Sequence, residues 1–268
     1  MRNGQRWLAA GIGRFLEDDK TFASCMRVTG VGVSPSIRCC FSLHALRRHG
    51  IFAAGDIPSS FVVAAVPATR VWTVESVHDD DVEGLMPSLQ TCRDASMAAR
   101  VEHIFDILYL SLYFSVRACH TFPLWSQWQR QLGICDGDDH ATDNMKQAVA
   151  GFLQSLRPSG LTPPTELLVT MCRYTRRHSC RLSKDGSALD FTGGPVLAVM
   201  PMVDLALPHI KAGPTLMLRR CAACELRTLI KKNSLKYLRR SLAAAGDEAA
   251  YWVMETKRAV SVGEQLSL

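Results

Sequence analysis

The stretch Gly193-Gly194-Pro195-Val196-Leu197-Ala198-Val199-Met200-Pro201-Met202-Val203-Asp204-Leu205-Ala206-Leu207-Pro208-His209 decides the fold. It is an apolar run that carries no charge until Asp204 and closes on a Pro-His pair. The far end of the sequence answers it with Tyr251-Trp252-Val253-Met254-Glu255-Thr256-Lys257-Arg258-Ala259-Val260-Ser261-Val262-Gly263-Glu264-Gln265-Leu266-Ser267-Leu268. This second segment alternates and turns at Val262-Gly263-Glu264, the pattern of a short hairpin strand.

Together the two segments resemble the C-terminal half of a SET domain, the fold of protein-lysine methyltransferases. There a P-x-x-D-x-x-N-H segment meets one ending in G-E-e-l. The N-terminal half agrees. His49-Gly50-Ile51-Phe52-Ala53-Ala54-Gly55-Asp56-Ile57-Pro58, then Phe61 to Pro67, then Trp72-Thr73-Val74-Glu75-Ser76 resemble the opening of the Rubisco large-subunit methyltransferase branch, in which a helical insert separates the two halves. Order and spacing match over most of residues 43–268, strongly at the ends and weakly in the middle. The resemblance implies an α+β fold, a SET-domain β-fold split by a helical insert. It divides the chain into an N-terminal segment 1–24 and a domain 25–268, with an N-terminal half 25–77, the insert 78–190 and a C-terminal half 191–268.

The bulk numbers agree with one ordinary globular domain. Hydrophobic residues make up 47% and charged residues 21% of the 268 residues, which excludes general disorder. The net charge of +6 and the pI near 8.9 favour an acidic or polyanionic partner. Ten cysteines are scattered, without the dense framework of a small secreted domain, and read as reduced thiols of an intracellular protein. The longest apolar stretch, Ile104 to Val116, contains Asp106, Ser111 and Ser115 and is too short and polar to span a membrane. Residues 1–16 carry Arg2, Arg6 and Arg14 without an acid, which suits either a mitochondrial presequence or a first helix of a cytoplasmic protein.

Along the chain, Val28, Val31 and Val33 alternate with small residues, so residues 25–77 are expected to be mostly short strands and turns. Helical periodicity takes over from Ser88 to Gly133 and returns over 143–156 and 165–178, parted by prolines. No metal site is expected. His78-Asp79-Asp80-Asp81 lacks regular ligand spacing, Asp136-Gly137-Asp138-Asp139-His140 lacks the closing Glu of a calcium loop, and Cys221-Ala222-Ala223-Cys224 has no second ligand pair. Walker, nucleophile-elbow and zinc-protease motifs are likewise not found.

What the family implies for chemistry carries over only in part. Its members transfer a methyl group from S-adenosylmethionine to a lysine amine, mostly by alignment in a narrow channel. A glycine loop lets backbone approach the cofactor, an Asn-His pair holds it, and a tyrosine beyond the G-E-e-l segment orients the amine. By this resemblance His49, Gly50, Asp204 and His209 are the candidate cofactor contacts. However, Arg48 stands where the first loop glycine should be, Leu207-Pro208 replaces the asparagine and removes its amide, and no tyrosine follows Leu266 in the sequence. Tyr251 and Tyr237 are the available substitutes, and no catalytic residue is assigned.

Two readings follow. The chain is expected to be a non-catalytic binding or structural module with a protein partner and without a cofactor. The alternative is an active S-adenosylmethionine-dependent protein-lysine methyltransferase. Leu218 to Leu242 adds to the first, because eight Arg and Lys residues there face the single acid Glu225. Apolar residues at near-helical spacing predict one helix with Arg227, Lys231, Lys232, Lys236, Arg239 and Arg240 as contacts for RNA or an acidic protein. A ribonucleoprotein assembly such as the mitochondrial ribosome would offer such a surface.

Overall fold

Val62–Pro67 (β4) is a run of small and β-branched side chains, and Val62 to Val66 are all buried. Such a strand must be covered on both faces and paired along both edges, and it is. In the computed structural model it lies second in a four-stranded antiparallel sheet. Its neighbours are Gly32–Val33 (β1) on one side and Ala250–Thr256 (β8) on the other, with Leu216–Ala222 (β7) outermost. The register sets Val62 against Glu255 and Pro67 against Tyr251, and Leu216 against Thr256. A second sheet orders Ile37–Ser42 (β2), Arg48–Ala53 (β3) and Gln265–Leu266 (β9), with β3 central. Before β9 the chain reverses through Gly263 at φ 80°, a conformation that favours glycine.

The structure describes residues 22–42, 48–80, 85–121, 139–156, 163–184, 194–206, 213–230, 235 and 238–268. They divide into two units, Met1–Ala68 with Pro201–Leu268, and Thr69–Met200. Both sheets above belong to the first. Mixed helix and strand make this an α+β protein.

Two expectations are corrected in the first unit. Residues 22–29 form a helix, α1, instead of strands. Phe22, Cys25, Met26 and Thr29 are buried, an i, i+3, i+4, i+7 stripe, while Val28, taken as part of the alternation, is 40% exposed. Leu218 to Leu242 is not one helix. Its first residues extend β7, because β8 offers a complete ladder from Leu216 to Ala222 and ladder pairing overrides a near-helical spacing. Two short helices then follow, Ala223–Ile230 (α7) and Leu238–Ala244 (α8), packing Leu226, Leu238 and Leu242 with Tyr251 and Val253 into one core cluster. Gly32 admits that packing: a Cβ there would lie 2.8 Å from Leu238 Cβ. In the second unit Val196–Val199 (β6) pairs with Ser179–Leu182 (β5), an unforeseen strand, and bridges to Trp72.

The second unit is mainly helical. Leu89–Ala98 (α3), Phe105–Thr121 (α4), Asp139–Ser155 (α5) and Thr165–His178 (α6) fall where the periodicity predicts helices. Val74–Asp80 (α2) is a helix where a strand or turn was expected. Between α4 and α6 the Ser111 hydroxyl donates to Thr175 Oγ1 at 2.9 Å, and Trp72, Phe114 and Tyr174 meet edge to face. Among the described residues no helix is long and apolar enough to cross a membrane.

Candidate functional site

β3 carries the loop residues that the sequence singled out. The backbones of His49 and Gly50 stand opposite Phe41 and Cys40 of β2, and Phe52 stands opposite Gln265 of β9. The side chains of Arg48 and His49 lie outside the described part of the structure. Gly50 is buried. The space its missing side chain leaves is filled from β9: a Cβ on Gly50 would lie 2.9 Å from Gln265 Nε2 and 3.4 Å from the ring of Phe52. The carboxamide of Gln265 makes no hydrogen bond with any described residue.

β9 is held firmly. Gly263 N–H donates to Ala53 O at 2.8 Å and Ala53 N–H to Glu264 O at 2.9 Å. The turn is closed by Glu264, whose carboxylate accepts from Ser261 N–H and from the Arg258 guanidinium. That Arg258 hydrogen bond, with the Ser261 amide, holds the Glu264 pKa below its ordinary value. Beyond β9, Ser267 O accepts from the N–H groups of Thr215 and Leu216, and Leu268 N–H donates to Ala206 O at 2.7 Å.

Ala206 follows the single helical turn Val203–Leu205, which lies against β3. Asp204 in that turn is 2% exposed. It sits near the buried Cys25 of α1, whose thiol is pushed up to about 12 by burial first and by the Asp204 charge second. The structure thus brings His49, Gly50 and the turn bearing Asp204 to the β3 region, while His209 lies outside the described residues. Gln265 is the residue that sequence reading passed over. Its signal was available: it occupies the lower-case acid position of G-E-e-l, and pairing β9 with β3 aims it at Gly50.

Tyr251 is 3% exposed and belongs to the four-stranded sheet, within the cluster under α7 and α8. Desolvation raises its pKa. Around the same helices Arg227 is engaged inside the fold: it donates to Leu242 O at 3.2 Å and Ala245 O at 2.7 Å and pairs with Asp247, satisfying carbonyls at the end of α8. Arg219 of β7 bridges Glu225 at 2.5 Å and Glu255 at 3.3 Å. Lys231, Lys232 and Lys236 lie outside the described residues, as do the side chains of Arg239 and Arg240 on α8. No cluster of metal-ligating side chains occurs among the described residues; Cys221 is buried and Cys224 exposed, both as free thiols.

The test of fit to S-adenosylmethionine is the space over Gly50. A cofactor packed against this glycine needs that space open, and the amide of Gln265 fills it. The obstructing atom is the end of a flexible side chain, so the cofactor does not fit this arrangement without rotation of Gln265.

No protein-family model and no curated protein matches the chain. Solved structures similar to it include one described as the SET domain of LSMT bound to lysine and AdoHcy, with a TM-score of 0.48, 15% identity and coverage of 94% of this chain and 53% of that one. Another, described as Rubisco LSMT bound to AdoMet, has a TM-score of 0.47, 14% identity and coverage of 94% and 52%. The chain spans about half the length of each. Their family is the one that the motifs of this sequence resemble.

Proposed function

We propose that this chain is a degenerate SET-like domain that serves as a binding or structural module instead of a methyltransferase. The observation that carries this reading is the position of Tyr251. A SET-type reaction needs a tyrosine hydroxyl beside the reacting amine; Tyr251 is the described candidate for that place, and Tyr237 lies outside the described residues. Its ring is packed among Leu226, Leu238 and Leu242 on the four-stranded sheet, whereas Gly50 and Gln265 belong to the other sheet. Filled space over Gly50 and the loss of the asparagine before His209 support the same reading.

The partner we propose is an intracellular protein or RNA-bearing assembly such as the mitochondrial ribosome, met through the basic segment containing Lys231, Lys232, Lys236, Arg239 and Arg240. Arg227 drops out of that contact set, since its guanidinium already caps α8. The second reading is an S-adenosylmethionine-dependent protein-lysine methyltransferase, with His49, Gly50, Asp204 and His209 at the cofactor. It is favoured by the bare strand position at Gly50, where the tightest approach is made by the end of a flexible side chain.

The experiment is transfer of a radiolabelled methyl group from S-adenosylmethionine to lysine-rich proteins, by the wild type and by Tyr251→Phe. No transfer above the enzyme-free blank is expected from either. Transfer by the wild type that Tyr251→Phe abolishes, with the fold intact, overturns the reading.

A further inference from the structure

We infer that Gln265 is a cover over Gly50, held in place by the pairing of β9 with β3, and that a smaller side chain at this position opens the strand to S-adenosylmethionine. This rests on the reading of Gly50 as the glycine of a cofactor loop. Three observations carry it. The carboxamide nitrogen lies 2.9 Å from where a Gly50 Cβ would be, inside the contact distance of any group approaching that backbone. The backbone of Gln265 cannot withdraw, because the Phe52 to Gln265 register is locked by the hydrogen bonds flanking it and by Leu266, which is fully buried. Removal of the cover therefore means rotation of the side chain alone. Finally, the amide makes no hydrogen bond with a described residue, so rotation breaks none of the bonds that hold the turn.

The obstruction is accordingly steric and modest. A ligand that displaces the side chain confines it to fewer rotamers, an effect on the scale of about a tenfold change in affinity. A long apolar side chain of similar volume should obstruct as glutamine does; a short one should not. The alternative role for Gln265, a hydrogen-bonding contact to the ligand, predicts the reverse order.

The test is equilibrium dialysis of the full chain against radiolabelled S-adenosylmethionine up to millimolar concentration, for the wild type, Gln265→Ala, Gln265→Ser and Gln265→Met. Circular dichroism melts verify folding, and the serine variant carries the test if the alanine variant does not fold. The expected result is binding at least about tenfold tighter for alanine or serine than for the wild type, with methionine like the wild type. Binding by alanine and serine no tighter than wild type, or not measurable in any variant, overturns the cover. Weaker binding by alanine and methionine together overturns it in favour of a ligand contact. Micromolar binding by the wild type itself overturns the proposed function, and the ratio of alanine to wild type still decides the inference.

Discussion

Thr256 shows how one buried hydroxyl fixes the entry to the central strand. Its Oγ1 donates to Pro58 O at 2.7 Å and accepts from Phe61 N–H at 2.9 Å, while its own N–H bonds Phe61 O. Thr256→Val keeps the shape and strands both partners, so stability should fall by about 1–3 kcal/mol in urea titrations; an unchanged midpoint would mean that water replaces the hydroxyl. Cysteine ionisation gives a second expectation. Burial raises Cys25, Cys92 and Cys172 from 9.0 to about 12 and Cys221 to about 11. The folded state holds these protons more tightly than the unfolded one. The stability they contribute is therefore complete below pH 9 and is lost as pH rises through 11 and 12. Thiol labelling at neutral pH should modify the exposed Cys224 at once and these four only with unfolding. The sequence read the cysteines as reduced thiols, but that Cys224 among the described ones is exposed depends on how α7 docks, a tertiary fact no spacing reveals.

At the scale of elements, packing decided what local pattern left open. The stripe of α1 was present in the sequence, yet three valines in alternation read as strand, and only the burial of Cys25 and Met26 shows which period won. The helices of the second unit were legible because long periodic runs leave little choice. β7 was not, since an edge strand carrying Arg219 and Arg220 owes its conformation to β8. The motif segments placed Gly50 and Asp204 in one region, while the Gln265 contact required knowing the β3 to β9 register. Two variants test the element contacts. Gly32→Ala forces a Cβ to 2.8 Å from Leu238 Cβ, and displacing α8 from β1 should cost about 1–3 kcal/mol. Leu266→Ala empties a site with no exposed surface and should cost about 2–5 kcal/mol. Unfolding free energies lowered by less than about half a kcal/mol would mean that neither contact holds its element.

For the whole molecule, a net charge of +6 matters through where it concentrates. Changing Lys231, Lys232, Arg239 and Arg240 together to Gln should weaken RNA binding and flatten its dependence on salt, with the circular dichroism spectrum unchanged; equal co-purification with large RNA-bearing particles would remove the basic segment from the account. The central claim, that a SET-like fold here binds a partner without using the methyl donor, rests on Gln265 over Gly50 and Tyr251 in the core. Isothermal titration of the wild-type chain with S-adenosylmethionine tests it most directly. No saturable heat is expected up to several hundred micromolar ligand, as for affinities on the order of millimolar or weaker, whereas a saturating isotherm with a micromolar Kd would mean that the chain binds the methyl donor.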